Sequence, residues 1–541
     1  MKLGLGREDA KRLAALAAAW AALFLIVDPR GAFPLNDDFQ YAESARRLLA
    51  GEGLHLPEWA LSWAASHSAL GALATAPWGA SNQALRLWMI AVGACGAGAV
   101  YVLARRWKAG ADAALLAALT VALSPLYAAM SASFHLDVTA AVFTLAALGA
   151  FLRGREDRSA GWLASSSVLI AASGLSRQTG FLCAAGGAAA LALDGRLTPG
   201  AAAALLGPSA AAAVGFGSWA RFVHGPTWAW RSGHFSPAVP SARALIGNLD
   251  KSLQTSALLL LPLTLPRLRE SVKRRVSPVE GAVLLAVAGA ALEGWRRAHG
   301  LPLIQNTLHH AGLGVVTLNG SDDKPGGWWE SPWLWNAAAL AALVSSLVAV
   351  RAAAEEWRGP SRGELRAAAL FAGAPFASML AMPAFYDRYL LTVLPVAAAA
   401  LAAGRKDAAR RVPAAWAAAA VLAFFTAAGL RDYFAWNRAR WDAGMSAVAH
   451  GVPPEKIENG FDWDGQFTLT RNLSALNARL PAERIGTWDW QKENRVVVMT
   501  TFARGPEIPG WKLVGRFPYA TPLVRGGGEV RLFADPAALK P

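Results

Sequence analysis

Long blocks of Ala and Leu follow one another along the first 430 residues, separated by short polar segments. Many of these blocks run for roughly 18 to 22 residues, the length of α-helix that crosses a hydrocarbon core of about 30 Å. The pattern predicts a polytopic α-helical membrane protein with about thirteen spans. The predicted windows are 12–28, 84–105, 113–131, 135–152, 161–176, 180–195, 200–220, 253–266, 279–295, 333–350, 366–383, 389–404 and 413–430.

The pattern changes after Arg431, where Asp, Glu, Asn, Pro and Gly become frequent and short β-rich runs appear at 495–501 and 530–533. We therefore expect a membrane domain over residues 1–430, with an outer loop over 29–83, and a small soluble α/β domain over residues 431–541.

Composition excludes a wholly soluble protein, because 54% of the residues are hydrophobic and 16% are charged, whereas soluble domains carry roughly 25% charged residues. Cys95 and Cys183 both lie in apolar blocks, which excludes a disulfide framework and a cysteine-based zinc site. The net charge of +15 fits basic loops gathered on one side of a membrane, so no nucleic-acid partner is expected.

The basic loops indicate an orientation. Positive charges cluster at the N-terminus and in alternate loops, for example at 105–108, 153–158 and 267–275. The positive-inside rule places these loops in the cytoplasm. The sequence thus predicts a multi-pass protein of the inner (plasma) membrane, with an uncleaved first span, a cytoplasmic N-terminus and an extracytoplasmic C-terminal domain.

Two adjacent acids, Asp37 and Asp38, directly follow the first span. One interpretation is an amphipathic interfacial helix that begins with an acidic cap at Asn36 or Asp37 and stops at Gly51. The alternative is a functional pair, because desolvation and mutual repulsion would raise one pKa and suit a general base, alone or beside a metal ligand.

Three further polar positions fall on the predicted outer side. His135 and Asp137 open a span, Arg177 is the lone charge in a break between two apolar blocks, and Arg388 follows Tyr386. One interpretation is structural: Asp137 caps a helix, and the arginines snorkel to lipid headgroups. Alternatively, an arginine at this membrane edge suits a phosphate through bidentate hydrogen bonds.

Together these positions suggest one reaction. Acids can deprotonate an acceptor hydroxyl or amine, while arginines hold the phosphate of a lipid-linked donor whose tail stays in the bilayer. Transfer would then be a single in-line displacement with inversion at the sugar carbon.

The order of these motifs over residues 10–430 resembles the GT-C glycosyltransferases, in particular the bacterial branch related to protein O-mannosyltransferases and to the lipid A aminoarabinose transferase. The segments that carry the resemblance are Asn36 to Leu49, Gly79, Ala84 to Leu87, His135 to Asp137, Ser176 to Gly180 and Asp387 to Pro395.

The resemblance implies a polyprenyl-phosphate sugar donor and an active site at the outer face. Asp37 matches the usual base, whereas Asp38 stands where many members have Glu, which leaves open which carboxylate acts. Asp137 matches a second acidic position, and Arg177 and Arg388 match positions near the donor phosphate.

Tyr41, His135 and Tyr386 complete the predicted substrate-binding set. Metal use varies in the superfamily, so the resemblance requires no cofactor and leaves open whether a divalent ion binds. His309 and His310 could join a metal site, although a loop-packing role is preferred.

Two other function classes compete with a transferase. A transporter or flippase of a lipid-linked or anionic substrate should show inverted repeats, and the sequence shows none. A non-catalytic assembly protein would use the acids only as helix caps. The sugar, the nature of the acceptor (lipid, glycan or protein) and the role of the aromatic clusters at 461–465 and 488–490, which could stack on sugars or form core, stay open.

Overall fold

A computed structural model of the chain describes residues 6–233, 240–297, 304, 306–318, 323–356, 362–382, 384–405, 412–505 and 507–537. The described chain is mostly helical and ends in a small four-stranded sheet. The predicted fold class, a polytopic helical protein with a small C-terminal α/β unit, is confirmed.

Twenty α-helices, numbered α1 to α20 in chain order, lie in the described ranges. They are Arg7–Val27, Asp38–Leu49, Ala65–Thr75, Asn82–Arg106, Ala111–Ala122, Pro125–Ser131, Leu136–Asp157, Ala160–Ser176, Leu182–Leu193, Pro199–Trp219, Trp228–Arg231, Ala242–Leu259, Leu261–Lys273, Pro278–Arg297, Pro332–Glu356, Arg362–Leu380, Leu394–Ala402, Pro413–Ala449, Phe461–Asn477 and Asp489–Lys492. Short 3₁₀-helices at Gln178–Phe181 and Asp387–Thr392 interrupt the apolar segments.

Seven helices in the described part of the chain are long and apolar enough to cross a membrane, which makes this an integral membrane protein. They are Arg7–Val27, Asn82–Arg106, Leu136–Asp157, Pro199–His224, Pro278–Arg296, Pro332–Glu356 and Pro413–Ala449. The pair α5 and α6 gives an eighth span if it is counted as one broken helix.

The count of thirteen spans is not confirmed. The windows 161–176 and 180–195 became α8 and α9, of 17 and 12 residues, and the window 389–404 holds a 3₁₀-helix and the nine-residue α17. An α-helix rises 1.5 Å per residue, so pieces this short do not each cross about 30 Å. Their breaks lie at Arg177 and Arg388, where polar groups must leave the helical pattern.

The break between α5 and α6 turns the chain by 63°. Ser124 caps α6 by accepting a hydrogen bond from the Tyr127 N–H at 3.3 Å, and Pro125 occupies the first helical position. Proline cannot donate the N–H that would continue α5, so the helix ends there. All seven residues of α6 are buried, and the chain then enters α7 with His135 as its N-cap.

Helix α18 runs for 37 residues, from Pro413 to Ala449, and carries the chain from the membrane into the C-terminal region. The predicted domain boundary at residue 431 therefore falls inside a continuous helix, and the division into two domains stays a prediction.

The sheet beyond α18 has four strands. They are β3 (Ile457–Glu458), β4 (Val498–Phe502), β5 (Lys512–Tyr519) and β6 (Gly528–Ala534), and β1 (Leu308–His309) pairs separately with β2 (Gly312–Leu313). The strand order is β3-β4-β6-β5, with β3 parallel to β4 and the other two pairs antiparallel. In register, Val498 faces Ala534 and Phe502 faces Val530, which confirms strands in the two β-rich runs.

The C-terminal region is fixed to α18 by a fully buried ion pair. Nη1 and Nη2 of Arg440 donate to the carboxylate of Asp462, at 2.7 and 2.6 Å, and both side chains are 0% exposed. Removing one partner of such a pair leaves an uncompensated charge in a low-dielectric interior.

We expect Asp462→Ala to destabilise the protein by about 3–5 kcal/mol and to lower the midpoint of thermal unfolding in detergent. The control is Glu493→Ala, which breaks the exposed pair with Arg479 and should cost at most about 1 kcal/mol. Equal shifts in the two variants would contradict this role of the buried pair.

Candidate active site

Four segments far apart in sequence meet at one end of the helical bundle. They are the turn before α2, the N-terminus of α7, the break after α8 and the 3₁₀-helix Asp387–Thr392. The structure thereby brings Asp37, Asp137, Arg177 and Arg388, all predicted site residues, into one contiguous charged cluster.

Asp137 lies at the centre of this cluster. Its Oδ1 is 2.9 Å from Nη2 of Arg177, and its Oδ2 is 2.6 Å from Nδ1 of His135 and 3.8 Å from Nε of Arg388. The histidine contact is close but poorly aligned for a hydrogen bond, so it acts as an ion pair. The Asp137 side chain is only 4% exposed, which makes it the buried anchor of three cationic groups rather than a group open to substrate.

Asp37 is the carboxylate that faces open space. Its Oδ2 lies 3.5 Å from Nη2 of Arg388 and 3.8 Å from Nε2 of His135, and its side chain is 16% exposed. His135 thus sits between two carboxylates, those of Asp37 and Asp137.

The electrostatics of the pair follow from this placement. Burial opposes ionisation of Asp37, but the nearby imidazolium of His135 and the charge of Arg388 outweigh it and lower the pKa of this carboxyl. Burial likewise disfavours the imidazolium of His135, yet Asp137 and Asp37 raise the pKa of the ring. Asp37 is therefore held as a carboxylate, ready to accept a proton.

The two arginines are oriented by tyrosines. The guanidinium of Arg177 lies 4.6 Å from the ring centroid of Tyr389, and that of Arg388 lies 4.4 Å from that of Tyr386. Arg388 also donates to Oδ1 of Asn306 at 3.1 Å. Rings on the guanidinium faces leave the N–H edges to make hydrogen bonds, the geometry that suits a phosphate. Although burial opposes its charge, Asp37 and Asp137 raise the pKa of Arg388.

Asp38 does not join this cluster. Its carboxylate accepts the backbone N–H of Leu35 at 2.6 Å and the backbone N–H of Phe134 at 3.1 Å, and the residue is 3% exposed. Burial raises its pKa to about 7 even though Arg86 opposes the shift. The sequence predicted one raised pKa in the pair, but the cause is burial and not repulsion from Asp37.

His67, which was not predicted, acts on the same peptide. Its Nε2 lies 3.3 Å from the carbonyl oxygen of Phe134, and its Nδ1 lies 2.9 Å from the hydroxyl of Thr139. Asp38 holds the N–H of Phe134 while His67 holds the carbonyl, so the backbone that presents His135 is fixed at both ends. Asp38 is thus placed to hold two loops together, and a part for it as the base or as a metal ligand stays a prediction.

A cavity of about 620 Å³ opens in front of Asp37. Its lining comprises Asn36, Asp37, Tyr41, Trp59, Ala60, Leu61, Ser62, Arg177, Asn306, Val315, Val316, Thr317, Leu318, Tyr386, Arg388, Tyr389, Phe461, Thr487, Trp488 and Gln491. The predicted substrate-binding residues Tyr41 and Tyr386 line it. His135 does not, because it is buried behind Asp37 at 1% exposure and packs edge-on against the ring of Tyr41.

Several lining residues were missed by the sequence analysis. Tyr389 lies within the quoted Asp387 to Pro395 segment and could have been found there, whereas Asn306 and Gln491 have no local signal. Of the two aromatic clusters, Phe461 and Trp488 reach the cavity, while Trp463 and Trp490 are fully buried core residues, 0% exposed.

No group of three or more His, Cys, Asp or Glu side chains that could hold a metal ion occurs in the described part of the chain. His309 Nε2 lies 2.8 Å from the Gly314 carbonyl oxygen and Nδ1 accepts from the Ala311 N–H at 3.2 Å. Burial lowers the pKa of His309 to about 3. These contacts fit the preferred loop-packing role for this histidine.

Comparison with known proteins gives one family match. Residues 66–216 match the family described as dolichyl-phosphate-mannose-protein mannosyltransferase. The resemblance to the GT-C glycosyltransferases is confirmed. The matched segment contains His67, His135, Asp137 and Arg177, whereas Asp37 and Arg388 lie outside it.

The chain is similar at low identity to solved structures of two proteins, among others. ArnT from Cupriavidus metallidurans, bound to undecaprenyl phosphate, is 16% identical with a TM-score of 0.43, over 98% of each chain, and its apo state gives the same values with 99% of that chain covered. The Archaeoglobus fulgidus oligosaccharyltransferase, tethered to an acceptor peptide, is 14% identical with a TM-score of 0.35, over 89% of this chain and 55% of that one. No curated protein matches the chain.

The different positions of the paired acids generate a stability prediction. Asp38→Ala leaves two buried backbone N–H groups without an acceptor, which should cost about 2–4 kcal/mol and lower the thermal unfolding midpoint in detergent. Asp37→Ala is the matched control and should change stability by less than about 1 kcal/mol, because Arg388 keeps Asp137 and Asn306 as partners. A larger loss in Asp37→Ala would refute this division of roles.

Proposed function

We propose that the chain is a membrane glycosyltransferase that moves a sugar from a polyprenyl-phosphate donor to an extracytoplasmic acceptor. The observation that carries the proposal is the position of Asp37, an ionised carboxylate at the cavity wall 3.5 Å from Arg388. A base and a phosphate-binding group thus face the same space, with Arg177 on the same lining.

The reaction follows from these groups. Asp37 takes the proton of the acceptor hydroxyl or amine, and that atom forms a bond to the anomeric carbon of the sugar. The bond from this carbon to the phosphate oxygen breaks, and its electron pair leaves with the polyprenyl phosphate. Arg177 and Arg388 bind that phosphate, so the developing charge is stabilised by preorganised donors. A single displacement of this kind inverts the anomeric carbon.

His135 and Asp137 are positioning residues in this scheme. Asp137 holds Arg177 at 2.9 Å and His135 at 2.6 Å, and His135 in turn keeps Asp37 ionised. No step in the scheme requires a metal ion.

The donor class rests on the family match, because the matched family's description names dolichyl-phosphate-mannose, a sugar on a polyprenyl phosphate. For orientation, we propose that the site lies on the extracytoplasmic face of the inner membrane, with the N-terminus in the cytoplasm. The segments that build the site come from the loops that the positive-inside rule places outside. Residues 431–541 then form an extracytoplasmic domain above a membrane domain of residues 1–430.

The base is tested by Asp37→Asn, which should lower turnover by about 10²–10⁴-fold while the protein still binds the donor. The measurement is mass spectrometry of lipids that co-purify with the variant, in which a polyprenyl-phosphate sugar should accumulate. The control is Glu43→Gln, on the same helix but outside the cavity lining, which should leave the lipid profile of the wild type. A transporter or an assembly protein would not trap a donor in Asp37→Asn, and a profile free of polyprenyl phosphates would refute the donor.

The pKa of Asp37 gives a separate test. His135 contributes the largest favourable effect on the Asp37 carboxylate, so His135→Asn should raise the pKa of Asp37. A base works only when it is ionised, and the acidic limb of the pH dependence of kcat/KM should therefore move to higher pH. His55→Asn, a histidine outside the cavity, is the control and should leave the limb in place. An unmoved limb in His135→Asn would show that Asp37 is not the titrating base.

A further inference from the structure

One part of the cavity lining is aromatic and comes largely from the C-terminal region. Trp488 is 53% exposed and lines the cavity. Its ring lies 5.2 Å from that of Trp59 and 5.8 Å from that of Phe461, at interplanar angles of 46° and 81°. Trp59 is itself stacked on Trp228 at 5.1 Å and 5°. Two buried rings therefore fix the plane of an indole that keeps half of its surface open.

Neutral polar groups flank this ring. Thr487 and Gln491 line the cavity beside Trp488. The amide nitrogen of Gln491 donates to Oδ2 of the buried Asp464 at 3.4 Å, which orients the amide and leaves its carbonyl oxygen as an acceptor. Among the cavity-lining residues, the charged groups Asp37, Arg177 and Arg388 all come from the membrane-domain segments, and the C-terminal region contributes none.

This division selects a chemical class of ligand. An open aromatic face between a hydroxyl and a fixed amide suits a neutral ring that has one apolar face and hydroxyl groups at its edge, which is a pyranose. A phosphate, a carboxylate or an ammonium group would instead find its partner among the charged residues Asp37, Arg177 and Arg388.

We propose that Trp488, with Thr487 and Gln491, binds a sugar ring of the acceptor, so that the acceptor is a glycan or a glycolipid. The assignment of this ring to the acceptor rests on the proposed function, whereas the sugar-binding site itself does not. The arginines assigned to the donor phosphate come from other segments of the lining than Trp488, so we assign the ring at Trp488 to the molecule that receives the sugar.

The test is binding of simple sugars to the full chain in lipid nanodiscs, measured by saturation-transfer difference NMR. The probes are the methyl glycopyranosides of glucose, mannose, galactose and N-acetylglucosamine. Trp488→Leu should weaken the bound glycoside at least about fivefold. Trp230→Leu is the matched control, because Trp230 is equally exposed at 52% but lies outside the cavity lining, and it should bind as the wild type does.

Further arms separate the acceptor from the donor and from misfolding. Dolichyl-phosphate mannose added in excess should leave glycoside binding in place, because a donor held by Arg177 and Arg388 would not occupy the site at Trp488. Thermal unfolding of Trp488→Leu should match that of Trp230→Leu, and if it does not, Gln491→Ala replaces it as the test variant. The inference fails if none of the four glycosides binds the wild type, if binding survives Trp488→Leu, or if dolichyl-phosphate mannose displaces the glycoside, since displacement would assign the ring to the donor. None of these results depends on turnover, so the proposed role of Asp37 as the base is tested separately.

Discussion

The buried carboxylate of Asp137 is the interaction on which the rest of the site depends. A charged group in a low-dielectric interior is tolerated only when it is paired, and neither Arg177 nor His135 could be buried without this partner. Three cationic side chains lie close to the Asp137 carboxylate, with Arg177 at 2.9 Å, His135 at 2.6 Å and Arg388 at 3.8 Å. The breaks in the apolar segments lie where these cations must leave a helix to meet one anion, so the helix pattern and the site have the same cause.

The pairing also explains why one acid of the Asp37 and Asp38 pair is available for chemistry. Successive residues at the start of a helix point in different directions, so Asp37 faces the cavity while Asp38 faces the loops behind it. Asp38 and His67 take up the N–H and the carbonyl of Phe134. Because that backbone carries His135, fixing it sets the distance between the imidazole and both carboxylates of the site.

Those features of the fold and of the site that depend on a local pattern could be predicted from the sequence. Apolar blocks, the acids after the first span and the isolated Arg177 and Arg388 could all be recognised from composition and order. The role of Asp38 could not be predicted, because its hydrogen-bond partner Phe134 is 96 residues away. The number of membrane spans could not be predicted either, because an apolar block broken by a 3₁₀-helix has the composition of a span without its length. Asn306 was missed for the same reason as His67, since only tertiary contacts reveal it.

The C-terminal region is tied to the helix that carries Asp37. Gly465 of α19 packs on Phe39 of α2 so closely that a Cβ there would lie 2.3 Å from the ring, and Phe461 meets Phe39 edge-on at 5.7 Å. The other attachment is α18, held by the Arg440–Asp462 pair and by a second fully buried pair, Lys324 with Asp432 at 2.6 Å. Attached on two sides, this region cannot shift without moving α2. Asp37 and the aromatic residues therefore line one cavity whose two contributing regions are packed against each other, the arrangement needed if one region is to present an acceptor to a base on the other.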